Sequence, residues 1–272
     1  MDDGLIPVVV AGATGRMGRE IARTIMSQAD MELAGALGHA RHLGEDIGEL
    51  VMGEPCGIIV TPEPGEVFEK AAGGVLVDVS VGIAVKDTVL EALKHNIACV
   101  VGATSIPAAD IDEMEKAAAA YGCPVLIAPN FALGAVLMMK FSKIAARYFR
   151  WAEIIELHHE RKLDAPSGTA ARTAEMMLRA RVGGFRSPAE GEETVKGVRG
   201  GNMGGIRIHS VRMPGLLAHQ EVMLGNTGEV LHIRHDASGR ECFMSGVVLA
   251  VQKVRALTGL VTGLENVLDV EE

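Results

Sequence analysis

Through the first half of the chain, short continuous apolar runs alternate with longer stretches of helical spacing. IPVVVAG (6–12) ends in glycine, GRMGREIARTIMSQ carries apolar residues three and four apart, and MELAGAL (31–37) is a short apolar run again. This succession predicts strand, helix, strand. Further runs follow at GIIVTP, VLVDVS, ACVVGAT and PVLIAPN, separated by helical stretches such as KDTVLEALKHN and PAADIDEMEKAAAAYG. Ser105 is the expected N-cap of the second of these helices, with Pro107 in its first turn. Continuous rather than alternating strands imply a parallel sheet covered on both faces.

From about residue 131 the rhythm changes. A long helical segment (LGAVLMMKFSKIAARYF) leads to a strand (AEIIELHH), another helix after PSGT, a glycine-rich stretch around 197–205, and strand-like IRIHSVRM, HQEVMLG and VLHIRHD. Strands joined by short turns predict a mixed or antiparallel sheet in a second domain. The stretch from Arg240 to Val270 reads as helix and can pack back on the first domain. The expected class is α/β, a parallel sheet domain plus an α+β domain.

At 272 residues, 48% of them hydrophobic, the chain can bury a core in each of two domains. No apolar run reaches membrane-spanning length and the start MDDGLIP lacks a basic leader, so a cytoplasmic protein is expected. A net charge of -9 without a basic stripe argues against nucleic acid as a partner. Cys56, Cys99, Cys123 and Cys242 are widely separated and form no CxxC, so they are expected as buried small hydrophobes. Met138, Met139, Met176 and Met177 are expected to fill core, and Asp110, Asp112, Glu113 and Glu115 to form a solvated helix face.

GATGRMG (12–18) lies between the first strand and its helix. Glycines there let the backbone approach a pyrophosphate whose charge the helix N-terminus stabilises. NAD enzymes usually place an acid at the end of the second strand to bind the ribose 2'-hydroxyl. This chain has Gly38, His39, Ala40, Arg41 and His42 there. No carboxylate repels a 2'-phosphate and His39 or Arg41 can meet one, so NADPH is the expected cofactor, with NADH tolerated.

The densest constellation is ELHHERKLDAPSGTA (156–170). On a strand Glu156 and His158 share one face while Leu157 and His159 share the other, so both histidines point one way only if the strand ends between them. Ser167 or Thr169 is a natural N-cap for the helix that follows, whose free N–H groups suit a carboxylate. Lys162 adds a positive charge, and a histidine can exchange a proton near neutral pH. The stretch reads as an anion clamp beside a proton donor. HHxxK lacks a third metal-type ligand at a usual spacing, so no metal is expected.

ELHHERKLDAPSGTA, GATGRMG, the VVGAT segment and APNFALG (128–134) together resemble the 4-hydroxy-tetrahydrodipicolinate reductase family along nearly the whole chain. The resemblance implies a Rossmann-type domain at 1–130 with 240–272, and a substrate and oligomerisation domain at 131–239, assembled as a homotetramer. The family reduces a cyclic unsaturated dicarboxylate with NADPH or NADH in lysine and diaminopimelate biosynthesis. By that likeness His158 donates the proton with Lys162 as catalytic partner, and His159, Ser167, Gly168, Thr169 and Thr104 hold the substrate carboxylates. Gly12, Ala13, Thr14, Gly15, Arg16, Met17, Gly102, Ala103, Thr104, Ala128, Pro129, Asn130 and Phe131 line the cofactor.

Two departures stand out. Where the family commonly has GTTG this chain has Gly102, Ala103, Thr104 and Ser105, and where many members have DFT it has Asp78, Val79 and Ser80. Modest changes in cofactor affinity are expected from both. Two rival readings are a Rossmann protein that senses NAD(P) without turnover, and a two-domain dehydrogenase acting on an acyclic amino acid or semialdehyde. A planar pyridine dicarboxylate separates the second, since an acyclic site ignores it.

Overall fold

The structure, a computed structural model, describes residues 4–187, 189 and 191–268. In chain order the elements are β1 (Ile6–Ala11), α1 (Arg16–Met26), β2 (Met31–Leu37), α2 (Ile47–Met52), β3 (Val60–Thr61), α3 (Pro64–Lys70), β4 (Val75–Asp78), α4 (Gly82–Lys94), β5 (Ala98–Val101), α5 (Ala108–Tyr121), β6 (Val125–Ile127), α6 (Leu133–Ala146), β7 (Trp151–His158), α7 (Gly168–Ala180), β8 (Gly201–Met203), β9 (Ile206–Arg212), β10 (Ala218–Asn226), β11 (Glu229–Ala237), α8 (Met244–Val254) and β12 (Leu260–Thr262). Two compact units result. One comprises the residues up to Phe131 with those from Phe243, the other Ala132 to Cys242.

The first unit is built on a seven-stranded sheet in the order β12-β6-β5-β4-β1-β2-β3, with every pairing parallel. Strands β4, β5 and β6 are buried along their whole length, which is why their sequences are apolar without alternation. Helix α1 closes one face with Ile21, Ala22 and Ile25, all fully buried. Two expectations are corrected here. Ser105 does not cap α5: it sits at φ 61 in the preceding turn, and Pro107 takes the cap position. The tail is not helical throughout, because β12 follows α8 and joins the sheet edge parallel to β6.

The second unit is a five-stranded mixed sheet in the order β11-β10-β7-β9-β8. Only β7 and β9 pair in parallel, the other neighbours being antiparallel. Period-two burial places Ala152, Ile154 and Glu156 of β7 and Gln220, Val222 and Leu224 of β10 in the interior. Helix α6 packs on β10, β11 and α7, while α7 packs on β7. Met138, Met139 and Met177 are buried as expected, and Met176 is half-buried. Cys99 and Cys123 are buried, but Cys56 is exposed and Cys242 half-exposed. Of the acids expected to form a solvated face, Asp112, Glu113 and Glu115 are exposed and Asp110 is half-buried; Asp110 and Glu113 share Lys86 at 3.1 and 3.3 Å. No helix among the described residues is long and apolar enough to cross a membrane.

Candidate active site

In the first unit the glycine turn leaves β1 and opens α1. Gly12 adopts φ 76, a left-handed conformation that favours glycine, and the Gly12 and Ala13 amides donate to the Leu37 carbonyl at 3.0 Å. A Cβ on Gly18 would stand 2.1 Å from the Gly12 carbonyl oxygen, so only glycine lets the helix pack this close to the turn. Arg19 Nε donates to the Thr14 carbonyl at 3.0 Å and pins the turn from the helix side. Gly15, the N-cap, makes no side-chain cap bond, and no acid occupies the first turn of α1. The positive end of the helix is therefore not neutralised locally.

Close by in the same unit, a cleft of about 290 Å³ is lined by Met17, Val79, Ser80, Gly102, Ala103, Thr104, Pro129, Asn130, Phe131 and Phe243. Seven of the expected cofactor residues (Met17, Gly102, Ala103, Thr104, Pro129, Asn130 and Phe131) thus meet at one wall. Gly102 is required there, since a Cβ would come within 2.4 Å of the Phe131 ring. Ala13 and Ala128 are fully buried and offer backbone only. Gly12 and Thr14 are half-buried in the turn, and Gly15 and Arg16 are exposed at its rim. His39 and Arg41 are exposed in the loop after β2. At the start of that loop a Cβ on Gly38 would lie 3.0 Å from Val60 Cγ1 and 3.3 Å from Thr14 Cγ2, so the position is tightly packed.

Asp78, at the end of β4, is fully buried and its Oδ2 has no hydrogen-bond partner. Burial pushes its carboxyl up, against the opposing pull of Ser80 and His39. An uncapped helix start, a turn whose Gly12 and Gly18 hold the backbone bare and close-packed, and an unpaired buried polar oxygen suit a dinucleotide. The residues present fit that group. Phe243 escaped the sequence reading, since it lies far along the chain from the other lining residues, and Asp78 entered it only as part of the Asp78-Val79-Ser80 departure, not as a buried unpaired acid.

In the second unit β7 ends at His158, between the two histidines. His158 Nδ1 lies 2.5 Å from Glu156 Oε2, and the Glu156 side chain is completely buried. Arg212 of β9 meets the same carboxylate with both terminal nitrogens, at 2.9 and 2.8 Å. The Ser167 amide donates to Glu156 Oε1 at 3.2 Å. Burial alone would raise the Glu156 carboxyl, but hydrogen bonds from His158, Arg212 and Ser210 outweigh it and hold the group at about 2.

Ser167 is the N-cap of α7, its Oγ accepting from the Ala170 amide at 3.2 Å, so of the two candidates the serine takes the cap. Gly168 and Thr169 begin the helix, the former exposed and the latter half-buried. His159 lies just past the strand, its Nδ1 buried without a partner. Lys162 Nζ is held by both oxygens of Asp164 at 2.8 Å. His158, His159, Lys162, Ser167, Gly168 and Thr169 all fall between the end of β7 and the first turn of α7, whereas Thr104 belongs to the cleft of the first unit. Arg212 and Asp164 were missed. An arginine in an otherwise alternating strand reads as solvent-facing, and an acid two residues from a lysine reads as loop charge. Among the described residues, no group of three or more His, Cys, Asp or Glu is placed to hold a metal ion.

Comparison with known proteins bears on both halves. The pattern described as "Dihydrodipicolinate reductase, N-terminus" matches residues 6–131, and "Dihydrodipicolinate reductase, C-terminus" matches 134–268. The chain is 46% identical to the 4-hydroxy-tetrahydrodipicolinate reductase of Moorella thermoacetica, over 97% of this chain and 98% of that protein. It is 44% identical to that of Bacillus velezensis, over 99% and 100%. Among solved structures, "Dipicolinate bound Dihydrodipicolinate reductase" from Paenisporosarcina sp. TG-14 superimposes with a TM-score of 0.87 at 37% identity, over 97% of this chain and 100% of that one. An amine dehydrogenase from Mycobacterium smegmatis, at 14% identity and a TM-score of 0.68 over 94% of each chain, shares the fold alone. Matched along both halves and to near-complete relatives, the chain belongs to the dihydrodipicolinate reductase family.

Proposed function

We infer that this protein reduces 4-hydroxy-tetrahydrodipicolinate to tetrahydrodipicolinate with NAD(P)H, in lysine and diaminopimelate biosynthesis. The observation that carries the reading is the convergence, in one unit, of an imidazole held on a buried carboxylate, a lysine and the capped start of α7. A ring bearing two carboxylates finds an ammonium at Lys162 and backbone amides at Gly168 and Thr169. His159 adds a polar contact to it. Loss of the 4-hydroxyl as water leaves a conjugated C=C–C=N ring system, to which a reduced nicotinamide, held by residues of the first unit such as Met17, Gly102 and Phe131, would supply a hydride. Charge that develops at the far end of that system is met by a proton from His158, and contacts that tighten as it develops lower the barrier.

NADPH is the better of the two cofactors, because the loop after β2 offers His39 and Arg41 where NAD enzymes carry an acid. Dipicolinate, named with the Paenisporosarcina relative, is expected to compete with substrate here. The protein works in the cytoplasm as a homotetramer without a metal. Cofactor oxidation followed by absorbance, with the cyclic dicarboxylate as substrate, tests the reaction. His158→Gln is expected to lower kcat by roughly 10² to 10⁴, the share a general acid supplies, and Lys162→Ala to damage both kcat and KM. Full activity in both variants removes the assignment. A higher kcat/KM with NADH than with NADPH removes the cofactor preference, and light scattering of the purified protein tests the tetramer.

A further inference from the structure

A proton donor and an anion clamp account for His158, Lys162 and the start of α7, but not for the arginine that ties them together. Parallel pairing sets His158 beside Arg212 and Glu156 beside Ser210, so Glu156, His158 and Arg212 share one face of β7 and β9. Arg212 then uses every N–H of its fork. Nε donates to the Lys162 carbonyl at 3.2 Å, one terminal nitrogen to Glu156 Oε2 at 2.9 Å and the Val211 carbonyl at 2.8 Å, and the other to Glu156 Oε1 at 2.8 Å and the Asp164 carbonyl at 2.7 Å. A lysine, with three donors on one nitrogen, cannot reproduce this pattern.

Glu156 is the other half of the device. Its carboxylate, paired with a guanidinium, accepts hydrogen bonds and donates none, so the nitrogen of His158 that faces it carries a proton. That places the proton of the neutral ring on Nδ1 and leaves Nε2 to take up a second proton, which the resulting imidazolium delivers to substrate. The same carboxylate receives the Ser167 amide, which fixes the residue capping α7. One ion pair therefore touches the donor ring, the backbone of the loop that carries Lys162, and the helix start.

We propose that Glu156 and Arg212 are positioning residues for the reaction, coupling the orientation of the His158 ring to the placement of the Lys162 loop. The proposal rests on His158 being the proton donor. It accounts for a completely buried carboxylate beside a partly exposed imidazole, and for an arginine whose donors are divided between a side chain and backbone carbonyls, two of them in the Lys162 loop.

The test combines nitrogen NMR of the histidine-labelled protein with steady-state kinetics, His158→Gln serving to assign the ring signals. In the wild-type protein the neutral ring of His158 is expected to hold its proton on Nδ1. Glu156→Gln is expected to mix the two tautomers and to lower kcat by about 10-fold or more, with the cofactor KM unchanged. Arg212→Lys is expected to lower kcat and also to raise the dicarboxylate KM several-fold, since the loop carbonyls lose their donors. A merely structural ion pair would leave the tautomer and the split between the two KM values as they are. A proton on Nε2 in the wild-type protein overturns the proposal even if neither variant folds. Wild-type kcat in Glu156→Gln overturns it as well. If His158→Gln is crippled while Glu156→Gln and Arg212→Lys are not, the positioning role alone fails; if His158→Gln is fully active, the donor assignment fails first.

Discussion

The first unit presents backbone to its ligand, and its decisive residues are those with no side chain: Gly12 at positive φ, Gly18 against the Gly12 carbonyl, Gly102 under the Phe131 ring. The second presents charged side chains braced by one another, with Glu156 receiving His158, Arg212 and Ser167 at once. The two regions should fail in opposite ways. The glycine turn breaks when an atom is added, and the charge network breaks when one is taken away.

The largest effect is expected from removing a charge. Arg212→Met keeps much of the apolar stem but leaves Glu156 buried with only His158 and two hydrogen-bond donors for company. Breaking a buried pair from one side typically costs about 3–5 kcal/mol. Urea unfolding should show a loss of that size, and a loss below about 1 kcal/mol would mean that water already reaches Glu156. Replacing Glu156 and Arg212 together by apolar residues of similar size should cost less stability than the single change, while leaving activity no better.

The same carboxylate sets an acid limit. Its native pKa, about 2, lies below the 4.5 of an unperturbed glutamate. A group depressed on folding contributes stability that is complete above its unfolded value and is lost as pH falls through the folded one. Glu156 therefore contributes fully above about pH 5, and the contribution, of order 3 kcal/mol, drains away between about pH 4.5 and 2. In Glu156→Gln the stability curve should be flatter across that window. An unchanged slope would place the acid sensitivity elsewhere, for instance at Asp46, which three backbone amides also hold at about 2.

In the first unit the matching test adds one methyl group. Gly18→Ala puts a Cβ 2.1 Å from a carbonyl oxygen, and backbone cannot rotate away as a side chain can. Overpacking of this kind costs about 1–3 kcal/mol. It should also raise the KM for cofactor with little change in the KM for dicarboxylate. Equal shifts in both would argue that the turn transmits strain beyond the nucleotide site.

This contrast also explains what could be read from the sequence. Strands β4, β5 and β6 announced a two-sided parallel sheet because burial on both faces leaves no polar positions to alternate. The glycine turn was legible because a backbone-built site must show its missing side chains in the sequence itself. The donor stretch was legible because its parts are close in the chain, and the end of β7 at His158 met the condition set by the two histidines. Arg212 was not legible, since its partnership with Glu156 depends on the register of β7 against β9, fifty-six residues apart. The tail misled for a related reason. Leu260–Thr262 is too short to show a period, and it is a strand only because the edge of β6 is there to receive it.

The smallest effect expected is also the most specific to the clamp. Lys162 is occupied in this structure by a carboxylate of its own chain, Asp164, at 2.8 Å to both oxygens. Asp164 is mostly exposed, and its lowered pKa comes first from that lysine. An ion pair so open to water is worth about 0–1 kcal/mol. On the role proposed for Lys162, an arriving substrate carboxylate must displace it, so Asp164→Asn should lower the KM for the dicarboxylate by at most about 5-fold, the factor that 1 kcal/mol allows. The gain should shrink at high salt, where screening already weakens the internal pair. A KM that rises instead would assign Asp164 the opposite part, that of holding the ammonium in the direction from which substrate comes.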